Sequence, residues 1–79
     1  MTREEAFSMI RKALDATSPK ASEKVSETTD LIGEGILDSL DSMNFLFELE
    51  TLHGARLAAI DESFNDFRVT VLIDILMDA

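Results

Sequence analysis

One serine in this sequence stands where its hydroxyl could be chemically useful. Ser39 follows Asp38 and precedes Leu40 and Asp41, at the point where an aperiodic stretch gives way to apolar residues at helical spacing. A serine on the first turn of a helix lies beside unpartnered backbone N–H groups and the positive end of the helix dipole. Both features favour a phosphate ester on the hydroxyl. The same residues also suit an ordinary helix cap, in which Asp38 accepts hydrogen bonds from the next N–H groups.

Other kinds of chemistry have little support. The one histidine, His53, would lie roughly 20 Å along a helix from Ser39, too far to act as its base. The chain has no cysteine, which excludes a disulfide framework and a thiolate metal site. Asp38, Asp41 and Asn44 offer oxygen ligands, but their spacing is that of a helix face and not of an EF-hand loop. We therefore expect neither an enzyme nor a metal site.

The composition indicates one small folded domain over residues 1–79. A hydrophobic fraction of 46% is enough for a single core and too high for a disordered tail. No apolar run approaches the ~20 residues that cross a bilayer. The first five residues carry acids where a secretory signal would be basic and then apolar. We expect a cytoplasmic monomer that does not span a membrane.

The charge of the chain is strongly uneven. The formal net charge is −9, and residues 25–55 contain no lysine or arginine. Such a surface repels nucleic acid and attracts basic protein surfaces through salt-dependent steering, although acidic surfaces also simply aid solubility. We expect no nucleic-acid partner. The acids in this window are Glu27, Asp30, Glu34, Asp38, Asp41, Glu48 and Glu50.

Apolar periodicity predicts an all-α fold. Thr2 and Glu5 have capping-box spacing before the first helix, and Gly54 is a natural end for the second. A connection of ~20 residues between these helices is long for a compact domain. Three apolar residues should hold its second half against the core: Leu31, Ile32 and Ile36. The predicted helices cover residues 3–16, 39–53, 62–66 (capped by Asp61) and 69–77.

The second helix is apolar on two sides. A helix of this kind is either fully buried or offers its second side to a partner, and burial here would also bury acids. We expect an outer side that serves as a docking surface, with coverage by a neighbouring helix as the alternative. The core side holds Phe45, Leu46, Leu49 and Leu52. The outer side holds Leu40, Met43 and Phe47.

The order of these features resembles the acyl carrier protein family along essentially the whole chain. The resemblance is carried by the run from Gly35 to Met43, then by Phe45, Leu46, Leu49 and Glu50, and by the segment from Phe64 to Arg68. It implies a small four-helix bundle with 4′-phosphopantetheine joined through its phosphate to Ser39. The thiol of that arm would carry an acyl or aminoacyl group as a thioester. A chain without cysteine fits, because a carrier's only thiol should be the one that is loaded.

The resemblance also implies roles for individual residues. Expected partners are a phosphopantetheinyl transferase, an acyl- or aminoacyl-loading ligase or transferase, and downstream biosynthetic enzymes. The face that these enzymes would contact comprises Asp38, Leu40, Asp41, Met43, Asn44, Phe47 and Glu50. An acyl cavity, for which plain core packing is the alternative, would be lined by Phe45, Leu46, Leu49, Phe67 and Leu72.

Some positions depart from the family pattern. Asn44 stands where members serving fatty-acid synthesis often have an acid, Leu37 where a small residue is frequent, and His53 where an aromatic is common. The run from Ile36 to Leu40 looks slightly more like stand-alone carriers of specialised pathways, including aminoacyl and D-alanyl carriers. The competing interpretation is an unmodified acidic interaction module that binds a partner through the outer side of the second helix.

Overall fold

Three α-helices and a short 3₁₀ helix form the regular structure of the described residues. The computed structural model describes residues 1–18, 20–57, 60 and 64–78. The elements are α1 (Arg3–Thr17), the 3₁₀ helix (Ala21–Lys24), α2 (Ser39–His53) and α3 (Val69–Asp78). The all-α prediction is confirmed, and each of the three long helices ends within one residue of its predicted bounds. The 3₁₀ helix was not predicted.

Helix α1 begins with the predicted capping box. The Thr2 hydroxyl accepts from the Glu5 N–H at 3.1 Å, and the Glu5 carboxylate accepts from the Thr2 N–H at 3.1 Å. That backbone hydrogen bond holds the pKa of Glu5 below its ordinary value. The helix then buries one face, formed by Ala6, Ile10, Ala13 and Leu14, against both α2 and α3.

The core side of α2 is shorter than predicted. Phe45, Leu46 and Leu49 are buried, as expected, but Leu52 is 43% exposed. Leu52 lies beside α1, where it lines a shallow groove with Met1 and with side chains of that helix from Glu5 to Lys12. The prediction that Leu52 belongs to the core is therefore wrong, because no further element among the described residues covers the last turn of α2 on this side.

The segment before α2 is a compact turn that is fixed to the core at both ends. Leu31 and Leu37 are buried, and the Ile36 and Leu37 N–H groups both donate to the Leu31 carbonyl at 2.9 Å. Gly35 allows this turn because its φ of 75° lies in the left-handed region, which glycine adopts without steric cost. Ile32 points outward and is 40% exposed, so its predicted burial is wrong. The turn orients Leu37 inward in its place.

A short antiparallel bridge ties this turn to the residues ahead of α3. The Leu31 N–H donates to the Phe67 carbonyl at 3.0 Å, and the Val69 N–H donates to the Thr29 carbonyl at 2.9 Å. Paired backbone groups of this kind satisfy donors and acceptors that burial would otherwise leave without partners. The start of α2 and the start of α3 are therefore held in a fixed relation.

The short helix predicted over residues 62–66 is not helical in its described part. Its predicted cap, Asp61, and residues 62–63 lie outside the described residues, and residues 64–66 adopt no regular structure. Asp66 instead accepts from the Arg68 guanidinium at 2.7 Å and 2.9 Å, which lowers the pKa of that carboxyl. Such local side-chain bonding competes with helix formation.

Aromatic packing positions the segment ahead of α3. The Phe64 ring meets the Phe67 ring edge-on, with centroids 5.4 Å apart, and Phe67 lies 6.5 Å from Phe45 of α2. Phe67 is buried, and edge-to-face pairs of this kind add stabilisation beyond the area that they bury. The contact with α2 thus places Phe64 and Phe67 beside the middle of that helix.

No helix in the described ranges is long and apolar enough to cross a membrane.

Candidate attachment and docking site

Ser39 is the first residue of α2, and its side chain is exposed. Asp38 is the N-cap: one of its carboxylate oxygens accepts from the Leu40 N–H at 3.0 Å and from the Asp41 N–H at 2.7 Å. The Ser42 N–H donates to the Asp38 carbonyl at 3.0 Å, which is the first hydrogen bond of the helix. The capping interpretation of Asp38 is confirmed. It leaves the Ser39 hydroxyl open to solvent.

The cap changes what the helix terminus can offer to an anion. Because Asp38 occupies the Leu40 and Asp41 N–H groups, only the Ser39 N–H of the first turn lacks an acceptor among the described residues. Of the free N–H groups expected beside the serine, the described residues therefore leave that of Ser39.

Two buried neighbours hold Ser39 in place. Leu37 is buried two residues before it, and Ser42 is buried three residues after it. The Ser42 hydroxyl donates to the Ser39 carbonyl at 2.9 Å, so the first turn of α2 is closed by a side chain as well as by the backbone. Sequence reasoning did not identify Ser42; the signal was its position three residues after Ser39 on a helix start, where serine often bonds back to the backbone.

Two substitutions of Asp38 should show whether its hydrogen bonds or its negative charge stabilise the start of α2. Asp38→Ala leaves two N–H groups without their acceptor and should lower the free energy of unfolding by about 1 kcal/mol. Asp38→Asn retains a capping oxygen and should lower the free energy of unfolding by only about 0.3 kcal/mol. Urea unfolding followed by circular dichroism measures both variants. Equal losses in the two variants would contradict the capping role.

The outer side of α2 is open to solvent along its length. Leu40 is 77% exposed, Met43 67% and Phe47 70%. None of the described elements covers this stripe, so the alternative of a neighbouring helix packing over it does not hold for the described part of the chain. The structure therefore presents three large apolar side chains to solvent in one line on one helix. We refer to Leu40, Met43 and Phe47 as the apolar stripe.

Polar residues surround the apolar stripe. Asn44 is exposed, and Asp41 and Glu50 are half-buried at its edges. Glu50 also has a structural contact, because its carboxylate accepts from the Leu57 N–H at 2.9 Å and so holds the chain that leaves α2. Asp38, as the cap, completes the set at the N-terminal end. The structure thus places all the predicted partner-contacting residues on or at the start of α2.

A groove of about 250 Å³ runs between α2 and the segment ahead of α3. Leu46 and Phe67, two of the predicted cavity residues, line it. The other three, Phe45, Leu49 and Leu72, are fully buried in the core and do not line this groove. Its remaining walls were not predicted as cavity residues: Ser42, Met43, Phe47, Glu50, Ile60 and Phe64.

The groove could not be found from the periodicity of α2 alone. Met43 and Phe47 belong to the apolar stripe, whereas Leu46 belongs to the core side, and the groove opens where these two sides meet the Phe64–Phe67 segment. The one available signal was the pair of phenylalanines ahead of α3. The groove therefore adjoins the apolar stripe directly, since Met43 and Phe47 belong to both.

The one histidine and the acidic side chains were also considered as candidate sites. His53 is the last residue of α2 and therefore lies at the opposite end of the helix from Ser39. Within residues 1–18, 20–57, 60 and 64–78, no three histidine, aspartate or glutamate side chains are placed to hold a metal ion.

Comparison with family models, curated proteins and solved structures finds no match to this chain.

Proposed function

We propose that this protein is a carrier protein whose Ser39 hydroxyl is esterified with 4′-phosphopantetheine and which takes acyl or aminoacyl groups from one biosynthetic enzyme to another. The observation that carries the proposal is the exposed hydroxyl at the first residue of α2, next to an exposed apolar stripe ringed by acids. The resemblance to acyl carrier proteins points to the same serine.

The surroundings of Ser39 fit a phosphodiester that remains in solvent. The hydroxyl is exposed, while the Asp38 and Asp41 carboxylates lie on either side of it in the sequence. Like charges repel, and two of the N–H groups that could hold a phosphate, those of Leu40 and Asp41, already bind Asp38. Repulsion by these carboxylates therefore favours a phosphate that points away from them into solvent. When attached, the group supplies the thiol that forms a thioester.

The apolar stripe suits brief contact with enzymes. Three exposed apolar side chains make a small patch, and small interfaces are typical of weak and transient complexes. The acids of residues 25–55 would raise the rate of encounter with basic surfaces without adding much affinity. A carrier must leave each enzyme after it delivers its cargo, and a small, charged docking surface meets that requirement.

The groove between α2 and the segment ahead of α3 is large enough to bind part of the acyl or aminoacyl group. Its volume of about 250 Å³ exceeds the 150 Å³ of an apolar cavity that holds benzene, so a group of about ten non-hydrogen atoms fits. The lining is mainly apolar, and the hydroxyl of Ser42 is already bonded to a backbone carbonyl. The groove therefore favours an apolar acyl or side-chain group over a charged one.

Truncating one side chain of the apolar stripe should weaken docking without affecting the fold. Phe47→Ala should lower kcat/KM for phosphopantetheinylation about 30-fold, the effect of losing an interface residue worth about 2 kcal/mol. Leu52→Ala is the matched control, because Leu52 is also an exposed apolar residue of α2 but lies on its other side. Steady-state kinetics with varied carrier concentration measures both. Similar rates for the two variants would exclude the stripe as the docking surface.

The proposal is tested by incubating the protein with coenzyme A, Mg²⁺ and a broad-specificity phosphopantetheinyl transferase, followed by intact-mass measurement. A carrier gains the mass of one phosphopantetheine group. A mass that stays unchanged, under conditions that modify a known carrier in parallel, would favour the second candidate. That candidate is an unmodified interaction module, which the exposed apolar stripe alone would also support.

A further inference from the structure

One cation lies beside the docking surface, at the far end of α2 from Ser39. Arg56 is the first basic residue after the acidic window of residues 25–55, and it is exposed. It lines a shallow depression together with Phe47 of the apolar stripe and with Gly54 at the end of the helix. The apolar stripe therefore has two carboxylates, Asp38 and Asp41, at one end, and at the other end the exposed guanidinium of Arg56 beside the half-buried Glu50.

Arg56 also differs from the arginines that have an intramolecular role. Arg3 pairs with Asp74 at 3.2 Å, and Arg68 pairs with Asp66 at 2.7 Å. In the described part of the chain, the Arg56 guanidinium has no such partner. Glu50 lines the same depression, but its carboxylate accepts from the Leu57 N–H at 2.9 Å, within the chain itself.

A face with only carboxylates at one end and an exposed guanidinium at the other favours one orientation of a docked partner. The rise of 1.5 Å per residue puts the two ends of α2 about 20 Å apart, beyond the screening length of about 8 Å at physiological ionic strength. A docked enzyme therefore interacts with the charges at each end of α2 independently. A surface that is basic throughout would meet attraction near Ser39 and repulsion at Arg56, whereas a surface with a carboxylate at the second position would meet attraction at both.

We propose that Arg56 pairs with a carboxylate on the enzymes that dock on the apolar stripe, the phosphopantetheinyl transferase included, and so fixes the orientation in which Ser39 is presented. This inference rests on the proposed carrier function. Guanidinium and carboxylate form a planar, two-point pair, which gives directional as well as electrostatic selection. Arg56 is a positioning residue, because it lies too far from Ser39 to contact the reacting atoms.

The test reverses the charge and measures the sign of the effect. The probe is a broad-specificity phosphopantetheinyl transferase with coenzyme A and Mg²⁺, and the carrier concentration is varied. Arg56→Glu should raise the KM for the carrier about tenfold at low salt with kcat unchanged, and the difference should shrink at high salt. Arg56→Lys should retain part of the affinity. Arg11→Glu, an exposed arginine on α1, makes the same charge change and should alter KM less than twofold.

The opposite signs of the two outcomes make the result decisive. If the transferase responds only to overall acidity, Arg56→Glu makes the carrier more attractive and lowers KM, which would overturn the inference. A KM equal to that of Arg11→Glu would overturn it as well. Failure of the wild-type protein to accept any phosphopantetheine would instead contradict the carrier function. The failure of the inference and the failure of the function are thus distinguished in one assay.

Discussion

Replacing Ser39 with alanine should abolish phosphopantetheinylation while leaving the unfolding transition unchanged. The Ser39 side chain is exposed and makes no hydrogen bond with the described residues, so its loss removes no contact that stabilises the fold. Alanine is also well tolerated in the first turn of a helix. Modification requires the oxygen that forms the phosphodiester, and no neighbouring hydroxyl is presented in the same way. The expected result is a complete loss, measured by intact mass.

Ser42→Ala is the matched control for that prediction. It removes a serine hydroxyl three residues further along the same helix, and this hydroxyl is buried and donates to the Ser39 carbonyl at 2.9 Å. We expect a loss of about 1 kcal/mol in the free energy of unfolding, with modification still reaching completion. Modification of the Ser39→Ala protein, or its loss in Ser42→Ala alone, would show that the attachment site has been assigned to the wrong residue.

Replacing Phe45 with alanine should produce the largest loss of stability. Phe45 is fully buried and packs against Phe67, with ring centroids 6.5 Å apart. Removing a buried phenylalanine costs about 3–5 kcal/mol, a large part of the 5–15 kcal/mol that stabilises a typical domain. Because Phe67 also lines the groove, the variant should loosen the groove wall as well as the core.

Phe47→Ala provides the comparison for Phe45→Ala. The two residues are two positions apart on α2, but Phe47 is 70% exposed, so its truncation should change the free energy of unfolding by no more than about 0.5 kcal/mol. Urea titrations followed by circular dichroism measure both variants. A loss of less than about 1 kcal/mol for Phe45→Ala would mean that Phe45 is not the central core residue that its burial indicates.

The helices were predictable because local signals agree with the core. The Thr2–Glu5 capping box begins α1. Gly54 ends α2, and its φ of 85° is a conformation that other residues rarely adopt. Leu52 and Ile32 were assigned wrongly because burial depends on what lies opposite a side chain. Apolar character and spacing place a residue on a face but do not show where the neighbouring element stops.

The exposed outer side of α2 and the Asp38 cap were predictable from the sequence, but the number of N–H groups that the cap occupies was not. The exposed apolar stripe followed from helical spacing, since Leu40, Met43 and Phe47 fall on one side of α2. Which N–H groups remain free could not be read from the sequence, because Asp38 as a cap and a phosphate would use the same donors. The groove depends on a tertiary contact between α2 and Phe67, a relation that spacing within one helix does not contain.

The most direct test of the proposed function counts thiols. The chain contains no cysteine, so the unmodified protein must give zero in a thiol titration under denaturing conditions. After incubation with coenzyme A, Mg²⁺ and the transferase, and after removal of the small molecules, a carrier modified at Ser39 should give one thiol per chain. The Ser39→Ala protein should still give zero. Zero thiols in the treated wild-type protein, with a known carrier modified in parallel, would contradict the carrier function.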